Sequence, residues 1–170
     1  YTVSWTSYNY PHSINATLSS GQGESATFDY GPDRSRWCMI YTEGGTSETT
    51  EYVGGLMEKV ATSTSTDYRY YISGANGLAA IQDIAGSTAN THYALEDQEG
   101  SIGVLLNSTG SIAVDESFTA FGIRREASTW SGPPTSTEES TMDSITRRGF
   151  TGQTVLGQMG LNHMNGRIED

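Results

Sequence analysis

His12, His92 and His163 are the side chains of this chain whose unperturbed pKa lies near neutrality, so any proton chemistry starts with them. His92 is followed by Glu96 and Glu99, and a histidine beside a carboxylate is the pairing that moves protons in hydrolytic sites. A small secreted hydrolase built here would use His92 and Glu96. No basic cluster accompanies them in sequence to stabilise an anionic transition state. Nucleophile-elbow, P-loop, dinucleotide and zinc-protease patterns are absent. A solvated histidine is therefore the better reading, and a non-enzymatic protein is expected. The acidic runs Glu96-Asp97-Gln98-Glu99 and Asp115-Glu116 lack the spacing of a calcium loop. Cys38 stands alone, without zinc-ligand spacing, so it reads as a small buried hydrophobe. Neither metal nor cofactor is expected.

Aromatic side chains offer a different chemistry. Trp5, Tyr8, Tyr10, Tyr30, Trp37, Tyr41, Tyr68, Tyr70, Tyr71 and Trp130 exceed what a core of this size needs. Tyrosine combines apolar area with a hydrogen-bonding tip and suits a protein or glycan partner. The expected binding surface is Tyr68, Tyr70 and Tyr71, with Trp5 and Tyr8.

Two sequons, Asn15-Ala16-Thr17 and Asn107-Ser108-Thr109, are candidate glycosylation sites at Asn15 and Asn107. Two arginine pairs, Arg124-Arg125 and Arg147-Arg148, are candidate processing sites with cleavage after Arg125 and Arg148, provided the backbone is accessible. Arg124-Arg125-Glu126-Ala127 resembles the processing signature of secreted fungal precursors, killer-toxin precursors among them. Tyr68-Arg69-Tyr70-Tyr71, followed by a helix and a hairpin, is similar to small secreted fungal killer-toxin-like domains. The resemblance implies a secreted, toxin-like or effector-like protein that acts by binding. A start at Tyr1 agrees with a processed product.

The chain has 170 residues and a net charge of −11. An acidic surface repels phosphates, which argues against nucleic acid as partner. No run approaches the roughly 20 apolar residues of a membrane-spanning helix. Self-assembly through an exposed strand or the glycine-rich tail, giving a homo-oligomer or a structural protein of an extracellular or particle surface, is the alternative.

The elements that must position these residues follow from periodicity. Alternation marks strands in Tyr1–Tyr10 and Glu24–Tyr30, a more continuous apolar run predicts a central strand buried on both faces over Arg36–Thr42, and Asp67–Ser73 reads as a tyrosine-rich strand. Tyr52, Val53, Leu56, Met57 and Val60 recur at helical spacing and predict a helix after Thr46, with Gly54-Gly55 packed closely on a sheet. Leu78, Ile81 and Ile84 predict a second helix over Leu78–Ala85. Gly100–Ile123 reads as the central hairpin. A Ser108-Thr109-Gly110 loop would set Leu106 opposite Ile112 and Val104 opposite Val114 on one apolar face. The expected fold is α+β, an antiparallel sheet with two helices packed on one face. Residues 1–126 would form the core domain, and 127–170 a linker and C-terminal extension packing on the core or a neighbouring chain.

Overall fold

The computed structural model describes residues 1–18 and 21–169, without the Gln158 side chain. The sequence predicts a turn over Ser19-Ser20-Gly21-Gln22-Gly23, of which Ser19 and Ser20 lie outside the described residues. From Thr2 to Asp115 the chain runs up and down as eleven antiparallel strands, each paired with its neighbours in sequence. They are β1 (Thr2–Trp5), β2 (Pro11–Thr17), β3 (Gly23–Tyr30), β4 (Arg36–Glu43), β5 (Thr46–Val53) and β6 (Met57–Ala61). β7 (Thr66–Gly74), β8 (Gly77–Ala85), β9 (Thr88–Glu96), β10 (Ile102–Leu106) and β11 (Ile112–Asp115) complete the sheet.

This overturns the α+β expectation. The segment read as the first helix is the β5–β6 hairpin. Gly54, Gly55 and Leu56 form its three-residue loop, closed by the Leu56 amide donating to the Val53 carbonyl at 3.1 Å, and glycine adopts the positive φ values of +58° and +73° freely. The segment read as the second helix is β8, paired with both β7 and β9. The hairpin tip matches expectation. The Gly110 amide donates to the Asn107 carbonyl at 2.9 Å, Gly110 has φ +84°, and Leu106 faces Ile112. One step further in, a bulge changes the register. Leu105 faces Val114, Val104 faces Asp115, and the buried residues are Leu105 and Val114. Val104 and Val114 therefore sit on opposite faces, because one extra residue inverts the alternation.

After β11 come a short hairpin, β12 (Ser117–Phe118) with β13 (Arg124–Arg125), and helix α1 (Ser136–Ile145). A three-stranded sheet follows: β14 (Thr154–Leu156), β15 (Leu161–His163) and β16 (Ile168–Glu169). A capping box starts α1, with Thr135 and Glu138 exchanging side-chain-to-backbone bonds. Its last turn contains no basic residue; Arg69 of β7 serves instead, donating from Nη2 to the carbonyls of Asp143 (2.9 Å) and Ser144 (3.1 Å).

The C-terminal segment covers one face of the large sheet and builds two cores. Leu156, Met159 and Leu161 pack on Ile14, Ala26, Phe28, Met39 and Tyr41 of β2–β4. Met142 and Ile145 pack on Tyr71, Ile81, Ala94, Leu105 and Val114 of β7–β11. Among the described residues, none forms such a cover on the opposite, outer face of β7–β11, and its large side chains face solvent.

Candidate functional site

The outer face takes its character from strand alternation. Tyr70 pairs with Gln82, and Ile72, Ala80, Tyr93, Leu106 and Ile112 stand in one row across β7–β11. Leu95 lies beside that row, opposite Val104. Ile72, Tyr93 and Leu95 are 47%, 48% and 52% exposed, and Ile112 is 64% exposed. Tyr68 and Tyr70 belong to this surface. Tyr71 does not: it is buried on the covered face, where its hydroxyl donates to Glu58 Oε2 at 2.8 Å. Trp5 is exposed on β1, the far edge strand, and Tyr8 packs edge-on against Tyr10 and Tyr30. The five expected binding residues thus fall into three places. Ile72, Tyr93 and Leu95 were missed, although their alternation along β7 and β9 is readable in sequence.

His92 and Glu96 are not brought together. Four residues along a strand span about 13 Å. Glu96 instead accepts the Leu78 amide at 2.8 Å, and burial lowers the His92 pKa while nearby Asp83 opposes it. Among the described residues, no group of three or more His, Cys, Asp or Glu could hold a metal ion. Asn107 occupies the exposed hairpin tip, its Oδ1 accepting the amides of Thr109 and Ser111. Asn15 is exposed too, but within β2, paired with β1 and β3. Arg125 is held in β13, with Nε donating to Ser117 Oγ and its guanidinium over Trp130. Arg148 pairs with Thr154 and lies beneath the C-terminal cover.

Charge between the sheet and its cover is dense and organised. Arg147 bridges Glu48 (3.0 Å) and Asp143 (2.6 Å), which strengthens its charged form against the cost of burial. Arg148 Nε meets Glu58 Oε1 at 2.9 Å, its Nη2 donates to the Gly55 carbonyl, and its guanidinium lies 3.4 Å over the Tyr71 ring. Arg124 contacts Glu116 at 2.7 Å, yet burial still pushes the Glu116 carboxyl up to about 7. Pairing of this kind offsets the cost of burying charge.

A second polar cluster joins the ends of the chain. Arg36 of β4 donates from Nη1 to His163 Nδ1 at 2.7 Å and from Nη2 to Thr154 Oγ1 at 2.5 Å. A guanidinium can only donate, so Nδ1 is the acceptor and the His163 proton resides on Nε2. That N–H faces Tyr30 Oη at 3.0 Å, and Tyr30 donates onward to the Pro11 carbonyl. Burial and Arg36 together hold His163 neutral, with its pKa down to about 2. Sequence reasoning placed no role at Arg36, which lies 127 residues from His163.

No family model and no curated protein matches the chain. Solved structures do. The chain superposes on TcdB2-TccC3-Cdc42 with a TM-score of 0.72 at 15% identity, and on TcdB2-TccC3 with 0.70 at 15%. TcdB2-TccC3-TEV gives 0.72 at 14%. Each match covers 98% of this chain and 8% of the other. The chain thus shares its fold with a small part of much longer chains.

Proposed function

We propose that this chain is a non-enzymatic module of a toxin-like protein that acts outside the cell producing it, and that it works by binding polypeptide on the outer face of β7–β11. The observation that carries this reading is the contrast between the two faces. One is sealed by the chain's own C-terminal segment, while the other leaves Ile72, Tyr93, Leu95 and Ile112 about half exposed or more. Contiguous exposed apolar surface marks interaction sites on folded proteins. Alternating grooves between side chains on a sheet suit an extended segment. A net charge of −11 favours a basic partner. The shared fold with toxin-complex chains supports a toxin-like setting.

Titration with a permanently unfolded basic polypeptide, reduced and carboxamidomethylated lysozyme, tests the surface. Ile72, Tyr93 and Leu95 each have about half of their area left to cover. Full burial of such a side chain contributes about 1.5–3 kcal/mol, so covering the rest contributes about 1 kcal/mol each. The Ile72→Ser/Tyr93→Ser/Leu95→Ser variant should bind roughly 100-fold more weakly, with an unchanged thermal midpoint. Equal affinity of variant and parent rejects the surface. Light scattering on the same parent sample separates this reading from self-assembly, which would raise the mass above 18.3 kDa.

A further inference from the structure

A cleft of about 220 Å³ opens between the sheet and its cover, lined by Arg36, Tyr52, Glu58, Arg148, Thr154 and Asn165 among others. Its two cations differ in one respect. Arg148 is neutralised by Glu58 at 2.9 Å. Among the described residues, Arg36 has no carboxylate within ion-pair distance, and the side-chain acceptors it contacts are neutral: His163 Nδ1 and Thr154 Oγ1. His163 cannot become an anion, and its lone pair is already used. The guanidinium is also fixed in place. It stacks 4.2 Å from the Tyr52 ring centre, and its two bonded nitrogens anchor its plane. A guanidinium has five N–H donors and these bonds occupy two, so donors remain for a ligand.

We propose that this cleft binds one carboxylate against Arg36. A rigid guanidinium fork matches the two oxygens of a carboxylate or phosphate. The charge count decides between them. Arg148 and Glu58 cancel, leaving one positive charge at Arg36, while the whole chain carries −11. That balance suits a monoanion and penalises a phosphate dianion. The Arg148 guanidinium and the Asn165 and Gln153 amides in the lining are polar neighbours for the remainder of the ligand. The carboxylate belongs to a small organic acid or to a peptide. This site lies beneath the C-terminal cover and is independent of the outer face, so either reading can fail without the other.

The test is an NMR titration of the arginine Nε–H signals of the intact chain with four probes: acetate, N-acetyl-Gly-Gly-Ala, its C-terminal amide and inorganic phosphate. The expected result is a saturable shift of Arg36 Nε–H with a carboxylate probe, none with the amide, and none at exposed Arg167. Saturation by acetate assigns a small-acid site, and saturation by the tripeptide alone assigns a peptide-terminus site. Arg36→Lys keeps the charge without the fork and should weaken binding about tenfold or more. No saturable shift with either carboxylate overturns the proposal, as does tighter binding of inorganic phosphate at pH 8 or an equal response from the amide. Should Arg36→Lys lose its native spectrum, the parent titration alone still decides.

Discussion

Arg148→Met is the substitution that most directly probes how the C-terminal segment is held. Methionine keeps an apolar stem over Tyr71 but removes the partner of Glu58, whose side chain is 4% exposed. Glu58 would retain the Tyr71 hydroxyl at 2.8 Å and, among the described residues, no cation within ion-pair distance. Breaking one half of a buried ion pair costs about 3–5 kcal/mol, and the figure applies because Arg148 itself is only 21% exposed. Replacing both residues, as in Glu58→Leu/Arg148→Met, leaves no stranded charge and should cost less than Arg148→Met alone. Urea unfolding followed by near-ultraviolet circular dichroism measures both variants. A deficit under about 1 kcal/mol for Arg148→Met, or an equal or larger one for Glu58→Leu/Arg148→Met, would refute the reasoning.

Three further outcomes follow from the same structure. Burial pushes the carboxyls of both Glu24 and Glu116 up to about 7, so the parent should lose stability as pH rises from 5 to 8; Glu24→Gln/Glu116→Gln should flatten that slope in thermal melts, and an undiminished slope would count against it. Gly122 has φ +83°, and a Cβ there would come within 2.5 Å of Phe150 Cδ1 and 2.6 Å of Asn162 Nδ2; Gly122→Ala should cost about 2–4 kcal/mol, against about 1 kcal/mol for Gly54→Ala, whose added Cβ meets open space. Expression through a eukaryotic secretory pathway should glycosylate Asn107 at its exposed turn more completely than Asn15 within β2, as peptide mass mapping would reveal.

What the sequence disclosed depended on what each residue faces. β4, expected to be buried on both faces, leaves Trp37 and Ile40 exposed. Alternation in β3 was readable because Ala26 and Phe28 are buried on one side and polar residues line the other. It was hidden in β5 and β6. There the covered face carries Glu48, Thr50 and Glu58, polar residues whose burial is made tolerable by Arg147 and Arg148, roughly a hundred residues away. With those positions scored as surface, the remaining apolar residues fell at helical spacing and Gly54-Gly55 looked like a packing feature instead of a turn. β8 misled for a related reason: Leu78, Ile81 and Ile84 fit one helical side, yet Leu78 and Ile81 pack inward while Ile84 pairs across β7 with Tyr68 of the outer face. The Arg36 cleft had no local signal at all. Its residues come from β4, β5, β6 and the C-terminal segment, and only the topology joins them.

The ion pairs explain why a long meander accepts its cover in one position. A sheet face lined with aliphatic residues alone would let an apolar segment slide, since burial is nearly indifferent to register. Here Arg124, Arg147 and Arg148 each meet a specific carboxylate on β5, β6 or the residues around β11, and Arg69 meets the carbonyls at the end of α1. A shift of one residue would leave several buried charges unpaired at once. Paired against hydrophobic replacements, such bridges add little net stability. Their contribution is discrimination: they raise the misdocked arrangements above the native one. That fixed seating holds His163 and Thr154 against Arg36, and thereby keeps the cleft between cover and sheet in one shape.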